Sequence, residues 1–273
     1  MDAAAETGRG ALAGSAGAAA ASVGPDEQLR TSAAHVLVAD AVALASDDAQ
    51  PELDPADAHH LWRVLRLRPG EVVTVTDGAG RWRRYRWGGG AGARLTPDGP
   101  LHVVPAPQPQ LTVGFAPAKG DRPEWTVQKL TELGVDRLVP LRCARSVVRW
   151  EGDRGAQQVQ RMRRVAREAS MQARRCHVPQ IEEVSSPADV PGAALAHFGG
   201  APPSLARPVV LVGPEGGWAG PELELGLPTV SLGPLVLRAE TAALAAAVVL
   251  TAIRQRMVVA SDHGAWSAAL ERG

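Results

Sequence analysis

The chain has 273 residues, of which 45% are hydrophobic, so it is long enough for two domains and too apolar to be disordered throughout. Its formal net charge is +0, and the sequence has no long uncharged apolar run that would predict a membrane span. Its two cysteines, Cys143 and Cys176, lie outside any CxxC spacing, which argues against a disulfide framework and a metal site and favours a reducing cytoplasm.

The charge is distributed unevenly along the chain. From Arg137 to Arg175 the sequence has 11 Arg against 3 acids, a balance of 11 − 3 = +8. From Leu61 to Arg86 it has 7 Arg against 2 acids, a balance of 7 − 2 = +5. Basic stretches of this kind are typical of nucleic-acid contacts, although a GC-rich genome would equally explain the preference for arginine.

The N-terminal part predicts a disordered extension followed by a small β-barrel. Residues 1–27 are rich in Ala and Gly and lack the pattern of a secretory signal, so we expect disorder there. Asp54 and Pro55 predict the start of a helix that ends at Pro69 and Gly70. Strands are predicted at His35–Val38, Glu71–Thr76, Arg81–Trp87 and Leu101–Val104. Short strands around one helix favour a barrel over 28–106.

A proline-rich linker, Pro105–Pro109, precedes a second pattern in which strands alternate with helices. Strands are predicted at Leu111–Ala116, Arg137–Leu141, Pro208–Val212 and Thr229–Leu232. Helices are predicted at Arg122–Leu133, Asp153–Arg175 and Glu240–Met257. This alternation predicts an α/β domain over 107–258 with a mostly parallel sheet, followed by a tail at 259–273.

The final helix is apolar on all sides between Ala242 and Leu250. We therefore expect it to be buried all round, and a dimer partner could supply one wall.

Two loops that follow predicted strands are candidates for a ligand site. Gly213-Pro214-Glu215-Gly216-Gly217 follows a buried strand, and Leu232–Thr241 opens the final helix. Glycines let the backbone approach a ligand, and ligands of open α/β sheets bind beyond the carboxyl ends of the strands. An ordinary tight turn is the alternative interpretation of each loop taken alone.

Neither loop has a known phosphate-binding motif. The sequence contains no GxxxxGK[ST] and no GxGxxG after a first strand, which argues against a P-loop NTPase and a nicotinamide oxidoreductase. It also lacks HExxH and GxSxG. The loops therefore indicate a ligand that needs close backbone contact but no pyrophosphate site.

Four ordered motifs together resemble the ribosomal RNA small subunit methyltransferase E family, a branch of the SPOUT methyltransferases. They are the GPEGG loop, LGPLVLRAETAALAA from Leu232, the stretch from Lys119 to Val135, and His60–Gly70. The resemblance implies a PUA-like RNA-binding barrel and a SPOUT domain with a trefoil knot. It also implies a homodimer that uses S-adenosylmethionine to methylate N3 of a uridine in 16S ribosomal RNA.

The resemblance also implies roles for particular residues. The cofactor-binding set is Leu211, Val212, Gly213, Pro214, Glu215, Gly216, Gly217, Leu232, Gly233, Leu237, Arg238 and Thr241. Arg238 is the candidate that stabilises the anion on the uracil carbonyls, and Glu124 or Glu240 is the candidate base. The predicted RNA contacts are Arg63, Arg66, Arg68, Lys119, Arg122, Arg164 and Arg167. For any one of these arginines, a solvated helix face is the competing interpretation.

The chain differs from this family in the short connection between Trp218 and Thr229, which predicts a helix of little more than a turn after GPEGG. Two other functions stay open on the sequence alone. One is a SPOUT enzyme that methylates another RNA position, such as a ribose 2′-hydroxyl. The other is a non-catalytic RNA-binding or ribosome-assembly factor that has kept the fold.

Overall fold

The computed structural model describes residues 24–46, 50–90 and 94–258. Most of the predicted N-terminal extension and the whole predicted tail at 259–273 lie outside these residues. A helix at Pro25–Thr31 nevertheless begins inside the segment predicted to be disordered. Proline near its start and two acids in its first turn favour this helix, which was not predicted.

The secondary structure follows the predicted order, with additional short elements. The helices are α1 (Pro25–Thr31), α2 (Ala41–Ala45), α3 (Pro55–His59), α4 (Arg122–Glu132), α5 (Gly152–Gln172), α6 (Gly220–Leu223) and α7 (Ala239–Arg254). The strands are β1 (Ala34–Leu37), β2 (Val72–Thr76), β3 (Arg81–Trp87), β4 (Leu95–Pro97), β5 (His102–Val103), β6 (Thr112–Phe115), β7 (Arg137–Pro140), β8 (Gln180–Ile181), β9 (Ala193–Ala201), β10 (Val209–Val212) and β11 (Thr229–Val230).

The N-terminal strands form a five-stranded sheet in the order β1-β2-β3-β4, with β5 also paired to β3. The predicted hairpin of β2 and β3 is confirmed, and β1 pairs with β2 in parallel. Leu61, Tyr85 and Trp87 are almost fully buried in the core on this sheet. The burial of such large side chains gives this small unit a hydrophobic core of its own.

The helix that follows Asp54 is shorter than predicted. Asp54 caps it as expected, because its carboxylate accepts a hydrogen bond from Ala56 N at 2.8 Å. A π-helical turn at His60–Val64 then widens the helix, which ends at Leu65. Arg66 has a φ of 54°, a left-handed conformation that stops the helix before Pro69.

The C-terminal strands form a six-stranded sheet in the order β11-β9-β10-β6-β7-β8, with parallel pairing throughout. The predicted α/β class with a mostly parallel sheet is therefore confirmed. The trefoil knot stays a prediction. All carboxyl ends of these strands lie at one edge of the sheet, which is where the two glycine loops begin.

Both faces of this sheet are covered. Val113 and Phe115 of β6 pack against α4, α5 and α7 in the largest core cluster. Leu211 of β10 points to the opposite face, in a cluster with Cys143 and Trp218. Burial on both faces explains why β6 is buried at every position.

Strands β8 and β9 were not predicted. The sequence of β9 is AALAHFGGA, and its small residues have low strand propensity. The strand forms because β10 and β11 flank it in the sheet and supply its hydrogen bonds. The neighbouring strands, which are distant in sequence, decide this element.

The prediction that α7 is buried on all sides is wrong for a single copy of the chain. Ala243, Ala246 and Leu250 are fully buried against the sheet and α4, whereas Val248 is 48% exposed. The exposed position lies on the opposite side of the helix from the sheet. No described helix is long and apolar enough to cross a membrane.

Five of the eleven arginines between Arg137 and Arg175 form ion pairs with acids outside this stretch. The pairs are Arg137–Glu182, Arg161–Glu124, Arg163–Glu183, Arg167–Asp57 and Arg175–Asp136. The net charge of this stretch in the sequence therefore overstates the positive surface that it presents to solvent.

Candidate functional site

The two glycine loops predicted from the sequence meet at one cavity. The loop at Gly213–Gly217 follows β10 and the loop at Leu232–Arg238 follows β11, so both leave the carboxyl edge of the parallel sheet. Together they line a cavity of about 380 Å³. A volume of this size is in the range of sites for small organic ligands.

Eight of the predicted cofactor-binding residues line this cavity: Val212, Gly213, Pro214, Glu215, Gly217, Leu232, Gly233 and Leu237. Four do not. Leu211 is fully buried because strand alternation turns it into the core on the other face of the sheet. Gly216 faces Arg145, Thr241 is exposed in the first turn of α7, and Arg238 is exposed at its N-cap.

Several lining residues were not predicted. They are Arg145, Ala196, His197, Phe198, Trp218, Leu235, Val236, Ala239 and Ala242. Ala196, His197 and Phe198 belong to β9, a strand that was not predicted. Trp218 directly follows the GPEGG motif, and this position next to the motif was the signal that could have identified it.

The glycines leave backbone uncovered at the cavity. Gly217 has a φ of +68° and Gly233 a φ of +122°, and a Cβ at either position would meet open space. At Gly213 a Cβ would lie 3.1 Å from ring carbons of Trp218. The loops therefore present peptide groups to a ligand, and glycine is needed both for the backbone conformation and for the close packing.

Hydrogen bonds hold the GPEGG loop in place. The indole Nε1 of Trp218 donates to the carbonyl oxygen of Ala196 at 2.9 Å. Arg145 Nη1 donates to the carbonyl oxygen of Gly216 at 3.1 Å. The carboxylate of Glu222, in the short α6 that the sequence predicted, accepts from Ala144 N at 2.9 Å and Ala219 N at 2.7 Å. The loop geometry is thus fixed before a ligand binds.

None of the three candidate catalytic residues lines the cavity, although Arg238 and Glu240 are adjacent in sequence to the lining residues Leu237 and Ala239. The Arg238 side chain has no hydrogen-bond or ion-pair partner within the described part of the chain. Arg122 Nη1 lies 3.8 Å from Oε1 of Glu240 and 3.8 Å from Oε1 of Glu215, so it joins the two loops. The other oxygen of Glu240 is buried and accepts no hydrogen bond from described residues.

Glu124 is differently placed from Glu240. Its Oε1 binds Nε of Arg161 at 2.8 Å, and its side chain is 22% exposed. This ion pair engages one of the two carboxylate oxygens of Glu124. Both predicted bases have one oxygen near a guanidinium, but Arg122 lies 3.8 Å from Glu240, and the second oxygen of Glu240 is buried without a partner among the described residues.

The predicted RNA-binding residues fall into two groups. Arg63, Arg66 and Arg68 are exposed around the π-helical turn, and Arg63 stacks 3.9 Å above the ring of Trp62. Lys119, Arg122 and Arg164 are exposed on the α/β domain. Arg167 differs, because both its terminal nitrogens bind Asp57 and one also donates to the carbonyl oxygen of Leu37. Its donors hold the two halves of the chain together.

Among the described residues, no group of three His, Cys, Asp or Glu side chains is arranged to hold a metal ion. Both cysteines are free and buried. Burial raises the pKa of the Cys143 thiol to about 12, and the nearby Glu222 carboxylate adds to the shift. A thiol with this pKa is protonated at neutral pH and is a poor nucleophile.

Comparisons with protein families match both halves of the chain. A family model described as an RNA methyltransferase domain matches residues 105–251, and one described as an RNA methyltransferase PUA domain matches residues 53–86. The chain is 34% identical over 220 residues to ribosomal RNA small subunit methyltransferase E of Mycobacterium bovis, covering 71% of this chain and 83% of that protein.

Two solved structures have a similar fold. One is ribosomal RNA small subunit methyltransferase E from Neisseria gonorrhoeae bound to S-adenosyl methionine, with a TM-score of 0.66 and 26% identity, covering 81% of this chain and 97% of that one. The other is a probable rRNA-methyltransferase from Porphyromonas gingivalis, with a TM-score of 0.66 and 26% identity, covering 82% and 100%.

Proposed function

Because the chain belongs to the ribosomal RNA small subunit methyltransferase E family, we propose that it transfers a methyl group from S-adenosylmethionine to N3 of a uridine in 16S ribosomal RNA. Membership of this family makes the chain a methyltransferase of small-subunit ribosomal RNA. The identity of the acceptor atom, N3 of a uridine, is what we propose. The main observation in support of the proposal is that the GPEGG loop and the loop before α7 line the same cavity.

The residues at the cavity fit this donor. S-adenosylmethionine supplies an electrophilic methyl group on a sulfonium and carries no phosphate, which agrees with the absence of a phosphate-binding motif from the sequence. The peptide groups at Gly213, Gly217 and Gly233 bind its polar edges. Leu232 and Leu237 pack against its apolar parts, and the fixed Trp218 closes the wall behind the loop.

The acceptor atom loses a proton before or during attack, so the site needs a base and a group that stabilises negative charge. Arg238 stabilises the anion that develops on the uracil carbonyls, since its guanidinium has no other partner among the described residues and is permanently charged. Glu240 accepts the proton. Its second oxygen is buried and unpartnered, which supports this role, and its ion pair with Arg122 at 3.8 Å is longer than the 2.8 Å pair that holds Glu124 to Arg161.

The RNA is bound by exposed arginines on both domains. Arg63, Arg66 and Arg68 contact phosphates from the N-terminal domain, and Lys119, Arg122 and Arg164 extend the track towards the cavity. Arg167 is removed from this set because Asp57 occupies its donors. The PUA model that matches residues 53–86 covers the first three of these arginines.

The active form is a homodimer located in the cytoplasm, where ribosomal RNA is made and both cysteines stay reduced. Leu235 and Val236, on the loop that lines the cavity, are 73% and 87% exposed, and Val248 of α7 is 48% exposed. A second copy that covers these apolar side chains would complete the burial expected of α7. Light scattering of the purified protein distinguishes a dimer from a monomer.

The proposal is tested by incubating the protein with labelled S-adenosylmethionine and 16S ribosomal RNA, naked and assembled into small subunits. Mass spectrometry then locates the product, which we expect on uridine N3. If the methyl group is found on a ribose 2′-hydroxyl, that hydroxyl is the acceptor and the proposal of uridine N3 is wrong. If calorimetry detects no binding of S-adenosylmethionine, the protein is instead a non-catalytic RNA-binding factor.

A further inference from the structure

A second cavity, of about 280 Å³, lies at the carboxyl end of β7 and shares no lining residue with the donor cavity. It is built by a single segment that follows the strand, residues 141–151. A turn closes this segment, because Ser146 N donates to the carbonyl oxygen of Cys143 at 3.1 Å. Since β7 is parallel to β6 and β10, the cavity opens at the same edge of the sheet as the donor cavity.

Two arginines give this cavity a positive charge. Arg142 and Arg149 are exposed, and within the described ranges neither guanidinium has a hydrogen-bond or ion-pair partner. This distinguishes them from Arg137, Arg163 and Arg175, which belong to the same basic stretch but are paired with acids. Glu151 is the one acid among the residues that line the cavity. The charge balance at its wall therefore favours an anion.

The turn between the two cavities is attached to the donor loop. Arg145, between the two free arginines in sequence, points to the donor cavity and donates to the carbonyl oxygen of Gly216 at 3.1 Å. The backbone N of the preceding residue, Ala144, donates to the carboxylate of Glu222 at 2.9 Å. A group held by Arg142 and Arg149 is thereby kept at a fixed position relative to the donor.

We propose that this second cavity binds a backbone phosphate of the substrate RNA, with Arg142 and Arg149 holding the nucleotide that flanks the acceptor uridine. This inference rests on the proposed function. Arginine binds phosphate oxygens through paired N–H donors, and contacts of this kind position a nucleic acid without reading its sequence. Because the turn is hydrogen-bonded to the GPEGG loop, a phosphate held by these arginines aligns the acceptor uridine with the methyl group of the donor.

The other groups in the cavity support binding rather than chemistry. Cys143 is buried and its thiol is protonated, so it forms a wall of the cavity. Trp150 is 7% exposed and packs in the core with α5, which gives the cavity a rigid floor. Arg142 and Arg149 are positioning residues for the RNA.

The test compares three substitutions that each remove one arginine charge: Arg142→Gln, Arg149→Gln and, as the control, Arg256→Gln. Arg256 is also exposed and has no partner in the described part of the chain. It lies two residues beyond Arg254, which donates to the carbonyl oxygens of Pro109 and Gly134 at the amino edge of the sheet. The control therefore removes the same charge at the edge opposite to both cavities.

Binding to 16S ribosomal RNA is measured without donor at several salt concentrations. We expect each of the two cavity variants to weaken binding and to reduce the slope of log K against log salt by about 1. The Arg256→Gln protein keeps the wild-type slope. In turnover assays of a double variant that combines Arg142→Gln and Arg149→Gln, the KM for RNA rises about tenfold and kcat falls, because the acceptor is less well aligned, while the affinity for S-adenosylmethionine stays unchanged.

A double variant with the wild-type salt slope and KM overturns the inference, and so does an equal loss in the Arg256→Gln protein. Failure of the proposed function is a separate result. A wild-type protein that binds RNA but transfers no methyl group contradicts the function, whereas the salt slopes still decide whether Arg142 and Arg149 contact phosphate.

Discussion

Arg167 of α5 binds both carboxylate oxygens of Asp57 in α3, with Nη1 donating to Oδ1 at 3.2 Å and Nη2 donating to Oδ2. Nη2 also donates to the carbonyl oxygen of Leu37 at 3.2 Å. The hydrogen bond to Asp57 raises the pKa of Arg167 above its ordinary value. The side chain of Asp57 is 11% exposed, so this ion pair is a largely buried connection between the N-terminal sheet and the α/β domain.

Replacing Arg167 by Met is therefore expected to destabilise the protein. The substitution leaves the Asp57 carboxylate without its partner, which costs about 2–3 kcal/mol. Arg164→Met is the matched control, because Arg164 lies one turn earlier on α5, is exposed and has no partner among described residues. Its effect on urea unfolding should stay within about 0.5 kcal/mol. Equal stability of the two variants would contradict the role assigned to Arg167.

A methyl group at Gly217 is expected to reduce donor affinity. Gly217 lines the donor cavity with a φ of +68°, and Gly192, in the turn before β9, has a φ of +69° and lies outside the cavity. Alanine at either position should cost about 1–2 kcal/mol of stability, because both backbones are left-handed. Calorimetry with S-adenosylmethionine should show a loss of tenfold or more for Gly217→Ala alone. The same affinity in both variants would remove Gly217 from the donor site.

Arg238→Ala is expected to abolish turnover and leave the fold intact. The Arg238 side chain is exposed at the N-cap of α7 and makes no hydrogen bond or ion pair with described residues that its loss would break. Loss of one donor to a developing anion typically lowers kcat by about 100- to 1000-fold. Single-turnover methyl transfer measures this fall, and thermal unfolding and donor binding serve as controls. Wild-type turnover in the variant would exclude Arg238 from the mechanism.

The stability of the N-terminal sheet is expected to fall in mild acid because of His35. This side chain is 5% exposed, and its Nδ1 lies 2.8 Å from Thr74 Oγ1. Burial lowers the pKa of His35 from 6.5 to about 4, while the hydrogen bond to the carbonyl oxygen of Arg175 opposes the shift and the charge of Arg174 adds to it. Between these two pH values the unfolded chain binds a proton at His35 that the folded chain does not bind.

Stability therefore decreases as the pH falls from 6.5 towards 4, and the contribution of His35 levels off below that value. At pH 5 the loss from this group amounts to roughly 2 kcal/mol relative to neutral pH. Urea unfolding of the wild-type and His35→Gln proteins from pH 4.5 to 7.5 measures it. The difference in unfolding free energy between them should shrink as the pH falls. A constant difference would show that His35 does not titrate on unfolding.

Much of the site could be predicted from local sequence. The glycines at 213, 217 and 233 and the apolar strand before Gly213 define where loops leave a parallel sheet, and both loops line the cavity as predicted. Asp54 also specifies its helix start through its own side chain. These features are local, because backbone conformation and hydrogen bonding within a few residues determine them.

The tertiary structure decided the features that depend on residues far apart in the chain, namely strand β9 and the pairing of charges. The strand β9 has weak propensity and forms between β10 and β11, so the wall at Ala196–Phe198 was not predictable from its own residues. The charge of the basic stretch is partly balanced by acids such as Asp57 and Glu182, whereas Arg142 and Arg149 have no partner among the described residues. The sequence by itself determined which residues are charged and where loops begin. Only the fold decided which charges are paired, since ion pairing depends on distances between residues far apart in the chain.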